Sequence, residues 1–224
     1  MIKRVVPGGD CMLLVEFEDE ISPAASAQVL ALDRQIRMQD LSGIIECVPS
    51  YRSLAVFYNP LKLSPSQLES WIMHQASTLQ ELPERVPRKV EIPVVYGGEM
   101  GPDLETVAQE HNLTVPEAVS IHTDPVYRVY LIGFSPGFPY LGGLSRRLFT
   151  ARRKTPRRLV PAGSVAIGGE QTGIYTSDTP GGWQIIGRTP LRLFNVNASP
   201  PCLLEPGDLV TFRSITLSEF DDTR

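Results

Sequence analysis

The chain has 224 residues, enough for one large domain or two small ones. Hydrophobic residues make up 42% and charged residues 21%, the composition of a globular protein with a full core. A net charge of -4 argues against a nucleic-acid-binding protein, whose domain is normally basic.

The N-terminal MIKRVVPGGD lacks the apolar stretch of a signal peptide. No run approaches the roughly 20 apolar residues that cross a bilayer, so the expected location is cytoplasmic. Cys11, Cys47 and Cys202 are far apart and show no CxxC or Cys/His spacing. They are expected to be buried, reduced thiols, with no metal site.

Cys11 to Phe17 is a short apolar run that reads as a strand. Ser22-Pro23 supplies an N-cap and a proline at the first helical position. Val29, Leu32 and Ile36 follow at helical spacing, which predicts a helix from Pro23 to Met38. Ile44 to Val48 and Ser53 to Tyr58 read as a strand pair. Ser64 and Gln67 have the spacing of a capping box, and Leu68, Trp71, Ile72 and Leu79 supply the apolar face of a second helix. Strand, helix, two strands, helix is the order of a small α+β domain, expected over 1–85. Leu82 to Lys89 carries two prolines and four charges without periodicity and reads as a linker.

Across 86–224 the pattern changes. Val90 to Tyr96 is a predicted strand, followed by helices at Asp103 to Glu110 and Val115 to His122, the second capped by Thr114 with Glu117. Beyond 124, short apolar runs are broken by Gly and Pro. Val126 to Ile132, Ser164 to Ile167, Gln184 to Ile186, Leu191 to Val196 and Leu209 to Phe212 are the predicted strands, with a turn at Glu205 to Asp208. Many short, punctuated strands point to a closed barrel or a sandwich.

Two stretches could carry chemistry. Gly133 to Gly143 holds two prolines, four glycines and three aromatic rings. It is either a rigid loop whose rings plug the barrel or a pocket wall, with Phe134, Pro136, Gly137, Phe138 and Tyr140 as candidate substrate contacts. Gly133 to Gly137 also matches the Gly-x-Ser-x-Gly elbow of serine hydrolases. Pro136, however, has no N–H for an oxyanion hole and no histidine follows His122, which argues against Ser135 as a nucleophile. In the second stretch, Val160 to Pro190, the candidate contacts are Gly163, Ser164, Gln171, Thr172, Trp183 and Arg188. Gln171 can accept and donate at once, as pairing with an amide or lactam requires. Tyr175 and Trp183 offer flat apolar surface with a polar tip, and Arg188 can hold a carboxylate by two parallel hydrogen bonds. For each residue alone, packing or turn formation is an equally open role.

His122 closes a predicted helix, where the dipole favours the protonated ring. Its near-neutral titration also makes it a candidate general base, so His122, Gln171 and Tyr175 are the candidate catalytic residues. His74 and His111 read as surface residues. The basic run containing Arg153, Lys154, Arg157 and Arg158 is either solvated, or draws an anion such as a nucleotide phosphate, or docks an acidic partner. No P-loop motif is present, so a self-contained P-loop ATPase is excluded.

EIPVVYGGEMGPDL at Glu91 to Leu104, GFSPGFPYLGGL at Gly133 to Leu144 and VPAGSVAIGGEQTGIYTSDTPGGWQIIGRTP at Val160 to Pro190 resemble the allophanate hydrolase subunit 1 family. The resemblance runs the length of the chain. That family includes the B subunit of bacterial 5-oxoprolinase, the kinase inhibitor KipI and part of the carboxyltransferase region of urea carboxylase. It implies a cyclophilin-like β-barrel behind a small α+β domain, a C subunit of related barrel fold and an A subunit as partners, and ATP at a site shared with the C subunit. The implied reaction is ATP-coupled opening of 5-oxo-L-proline to L-glutamate. A KipI-like inhibitor of a histidine kinase and a urea or allophanate role stay open. Relatives often carry proline where this chain has Thr176. Gln171→Ala or Trp183→Ala is expected to abolish turnover without unfolding the chain.

Overall fold

The structure, a computed structural model, describes residues 2–79 and 86–223. The chain divides into two compact units, Met1–Val86 and Pro87–Arg224. The expected linker lies outside the described residues from Leu82 as far as Arg85.

The first unit runs β1 (Arg4–Pro7), β2 (Met12–Glu16), α1 (Pro23–Gln39), β3 (Ile44–Pro49), β4 (Ser53–Tyr58) and α2 (Pro65–Ser77). Its antiparallel sheet has the order β1-β2-β4-β3. Alternation along β2 and β4 buries Leu13, Val15, Leu54, Val56 and Tyr58 against Val29, Leu32 and Ile36 of α1 and Leu68 and Ile72 of α2. The caps form as their spacing predicts. Ser22 Oγ accepts the Ala25 N–H at 3.0 Å, and Ser64 and Gln67 cap each other reciprocally. The sequence reading lacked β1, whose four residues, one of them proline, are too few to show alternation. Cys47 is buried as expected. Cys11 is not: it sits exposed after the β1–β2 turn, where no second layer covers it.

The second unit runs β5 (Lys89–Tyr96), α3 (Leu104–Glu110), α4 (Val115–Thr123), β6 (Tyr127–Ile132), β7 (Pro139–Gly142), a 3-10 turn (Arg146–Leu148), β8 (Arg157–Val160), β9 (Ser164–Gly168), β10 (Gln171–Ile174), β11 (Thr179–Gly181), β12 (Gln184–Arg188), β13 (Leu209–Ser214) and α5 (Leu217–Asp222). Seven strands close into a barrel in the order β10-β7-β6-β13-β5-β12-β9, while β8 and β11 form a separate ribbon. This decides between barrel and sandwich. Among the described residues, β5 and β13 are the one parallel pair of the barrel, in register from Leu209↔Lys89 to Ser214↔Val94.

Every barrel strand sends side chains into one interior: Ile92, Val129, Leu141, Val165, Ile174, Ile186 and Val210 meet there, with Leu104 and Val107 of α3 and Ala118 of α4. Leu191 to Val196, predicted as a strand, is not one. Closure leaves no barrel edge for it, so it pairs locally with residues 201–203, and Leu193 is buried from a loop. No helix among the described residues is long and apolar enough to cross a membrane.

The strand that positions the candidate site is β9, buried along its whole length. Val165 and Ile167 point into the barrel, whereas Ala166 joins a second cluster on the outer face. Burial on both faces explains why this run reads as continuous apolar sequence.

Candidate functional site

The register places Tyr140, Gly173, Ala166 and Ile185 side by side across the outer face of β7, β10, β9 and β12. Phe138, Tyr175 and Trp183 pack onto this row. Phe138 meets Tyr175 at 5.3 Å and Trp183 at 5.6 Å, both edge to face, the favoured geometry for aromatic pairs. Gly168 makes room for the indole: a Cβ there would collide with the Trp183 ring. The rings of Gly133 to Gly143 therefore do not plug the barrel. Period-two alternation turns them onto its outside, where Phe138, Tyr175 and Trp183 are themselves buried. The Arg152 guanidinium lies over the Trp183 ring, 5.7 Å from its centroid.

Phe134 stands apart. It is 63% exposed and holds φ 67°, a left-handed conformation that costs a non-glycine residue roughly 1–2 kcal/mol. Its ring is braced edge-on by Phe138 at 5.4 Å and Tyr175 at 6.2 Å. The turn is latched by Thr176, whose Oγ1 donates to the Pro136 carbonyl at 2.8 Å and lies 3.2 Å from Ser135 Oγ. Thr176 thus joins the two loops through its hydroxyl. Gly137, φ 79°, is buried in the same turn.

His122 and Thr172 lie elsewhere, in the barrel interior. Tyr96 Oη is 2.8 Å from His122 Nδ1, and His122 Nε2 is 3.0 Å from Thr172 Oγ1. Thr172 donates its own proton to the Ala166 carbonyl, so its oxygen must accept from the ring. That assigns the Nε2–H tautomer, with Nδ1 accepting from Tyr96. Burial pulls the His122 pKa down to about 3. The helix terminus favours the imidazolium by at most about 2 kcal/mol, and burying an ion costs several, so desolvation wins and the ring is neutral. The same burial pushes the Tyr96 hydroxyl well above its usual range.

The basic run is partly committed. Asp103, 4% exposed, accepts from Arg153 Nη1 at 3.0 Å and from Arg157 Nη1 and Nη2 at 2.8 and 2.7 Å. It also accepts the Ile185 N–H at 2.7 Å, which ties the start of α3 to β12. Lys154 and Arg158 remain exposed. His111, expected at the surface, is half-buried with Nε2 3.0 Å from Thr150 Oγ1, and His74 is exposed.

Beside the cluster lies a cavity of about 230 Å³. Its walls come from Ala162 and Gly163 before β9, Tyr175 and Thr176 after β10, Arg188 through Leu193 and Phe220 of α5. Gly163, Tyr175 and Arg188 meet here, and Tyr175 also belongs to the aromatic cluster. Ser164 is buried next to it, its carbonyl accepting the Tyr175 N–H at 2.9 Å. Gln171 is half-buried at the start of β10, opposite Gly168. Sequence reasoning missed Asp103, Arg192 and Phe220. Asp103 falls at the end of the Glu91 to Leu104 motif without a sequence signal for its arginine partners, Arg192 and Phe220 belong to no motif, and each is brought to its place by the fold.

Residues 3–204 match the carboxyltransferase domain family, subdomains C and D. The chain belongs to this family. It is 46% identical to the 5-oxoprolinase B subunit of Bacillus subtilis (strain 168), over 95% of this chain and 92% of that protein. Identity to the 5-oxoprolinase B subunit of Haemophilus influenzae is 42%, over 93% of this chain and 96% of that one. Among solved structures, TTHA0988 superposes with a TM-score of 0.80 at 36% identity, covering 92% of this chain and 40% of that longer one. The family match takes in both glycine-rich stretches and the aromatic cluster. β13 and α5 lie beyond it.

Proposed function

We propose that this chain is the B subunit of a cytoplasmic, ATP-dependent 5-oxoprolinase that acts with A and C subunits to open 5-oxo-L-proline to L-glutamate. The observation that carries this reading is the 46% identity to the B subunit of a 5-oxoprolinase across nearly the whole of both chains. It favours the oxoprolinase over a kinase inhibitor or a urea-metabolising role. In this reading the first unit is the small α+β domain and the barrel is cyclophilin-like.

The chemistry gives the arrangement a purpose. An unstrained five-membered lactam is a poor electrophile, and transfer of a phosphoryl group to its oxygen makes that oxygen a leaving group. ATP is proposed to bind without a P-loop, at a site shared with the C subunit. Lys154 and Arg158 are exposed and open to a phosphate or an acidic partner, whereas Arg153 and Arg157 serve Asp103. Gln171, at the far end of β10 from Tyr175, is proposed to serve turnover from outside the cavity that Tyr175 lines. Phe134, exposed on its strained turn, is the proposed contact with a partner protein of the assembly. His122, sealed in the interior with both ring nitrogens engaged, is read as structural, and Tyr175 as a positioning residue. The partner supplies the remaining groups.

The test is reconstitution. The chain is combined with its A and C partners, and glutamate and ADP are followed together. Absence of 5-oxoproline-stimulated ATP turnover in the full mixture defeats the proposal.

A further inference from the structure

The cavity beside Tyr175 has a charge that the fold leaves unbalanced. Its lining contains Arg188 and Arg192 and no acidic residue. Among the described residues, neither guanidinium takes part in an ion pair. Two cations facing one part-enclosed space repel each other, and an anion between them removes the repulsion.

Both arginines are also held in place by the same device. Arg188 Nε donates to the Ala162 carbonyl at 2.8 Å, and Arg192 Nε donates to the Phe194 carbonyl at 3.0 Å. With each Nε committed to backbone, the terminal nitrogens of each fork stay available for a planar oxyanion. Gly163 serves the first of them. At φ 84° its missing Cβ would collide with the Thr189 carbonyl and press on the Arg188 stem at 3.4 Å, so glycine lets the arginine lie across the turn.

Tyr175, Leu193 and Phe220 supply an apolar part of the wall, beside Thr176 and Thr189. A volume of about 230 Å³ is smaller than the roughly 300 Å³ at which pockets for drug-sized ligands begin, which suits a small ligand or a single small group. Charge, fork geometry, apolar wall and size converge on a small acid with a short carbon body.

We propose that this pocket binds the carboxylate of a small cyclic or short-chain acid, gripped by Arg188 and Arg192, with its carbon body against Tyr175 and Phe220. The identity of the acid as 5-oxoproline, or the glutamate formed from it, rests on the oxoprolinase reading; the charge and size of the pocket do not. A phosphate group presents similar oxyanion chemistry, and the experiment separates the two sources.

The full chain is titrated calorimetrically with 5-oxo-L-proline, L-glutamate, inorganic phosphate and 2-pyrrolidinone, the same lactam without its carboxylate. Saturable binding of at least one of the two acids is expected, weakened about tenfold or more in Arg188→Gln and in Arg192→Gln, with no binding of 2-pyrrolidinone. Arg192 is exposed, so its variant keeps the test valid if loss of the Arg188 hydrogen bond unfolds the turn. In the complete assembly Arg192→Gln is expected to raise KM for 5-oxoproline several-fold with kcat little changed. The proposal is overturned if neither acid binds, if both variants bind as the parent does, if 2-pyrrolidinone binds as tightly, or if phosphate alone binds. An assembly that never turns over 5-oxoproline, beside a chain that still binds an acid through these arginines, defeats the oxoprolinase reading and leaves the pocket standing. Normal turnover with unchanged KM in both variants does the reverse.

Discussion

His122 titrates near 6.5 in an unfolded chain and at about 3 inside the barrel, where burial disfavours its charged form. Between those values the unfolded state binds a proton that the folded state refuses. The contribution to stability is therefore complete above about pH 6.5 and is lost as pH falls towards 3. At about 1.4 kcal/mol per pH unit, lowering the pH from 7 to 5 costs the fold about 2 kcal/mol through this residue alone. That figure holds for any folded pKa below about 4, so it depends on the burial and not on the detail. The measurement is urea denaturation at both pH values for the parent and for His122→Gln, in a Trp71→Phe background so that Trp183 fluorescence reports the barrel. Carboxylates, His74 and His111 are common to both proteins and cancel in the difference. The parent should lose about 2 kcal/mol more than the variant. Equal losses would refute the assignment of a neutral, sealed imidazole.

Gln171→Ala, at a half-buried position, should abolish turnover in the reconstituted assembly while leaving the denaturation midpoint nearly unchanged. Trp183→Ala, whose ring is 6% exposed and packed in the outer cluster, should by contrast cost about 3–5 kcal/mol of stability, read by urea denaturation followed by far-ultraviolet circular dichroism. Asp103→Ala strands two arginines and the Ile185 N–H, and should cost about 2–3 kcal/mol, again by urea titration. For the thiols, mass spectrometry after brief iodoacetamide treatment at neutral pH should find Cys11 modified and Cys47 intact. Cys11 is exposed, whereas burial pushes the Cys47 thiol up to about 12. Modification of Cys47 at the rate of Cys11 would contradict that burial.

What could be read without coordinates was local. Ser22, Ser64 and Thr114 cap their helices as their spacing indicates, because a cap is settled within four residues. The same logic applies to α5, where Thr216 and Glu219 form a capping box of the same spacing. Strands β7, β8, β10 and β11 are not legible because none exceeds four residues, too few to show alternation. At the candidate site, the density of glycine beside aromatic rings pointed to the right segments, since rings lie where glycines make room. Which rings are buried and which is presented depends on the outer face of β9, and that follows only from closure. Arg188 was legible as a possible carboxylate holder. Arg192 and Phe220 were not, because nothing in their own neighbourhoods marks them as its companions.

The parallel pairing of β13 with β5 sets the last barrel strand beside the first, and Arg88 clasps the buried Asp208 at that seam. A growing chain therefore exposes the open edges of β5 and β6 until β13 leaves the ribosome, with the long-range loop entropy still unpaid. Barrel closure waits for β13, and folding should be slow for the unit's size because its decisive contacts join its most distant strands. A message truncated before Leu209 would yield an unclosed sheet, prone to pair with its neighbours, in place of a weakened barrel.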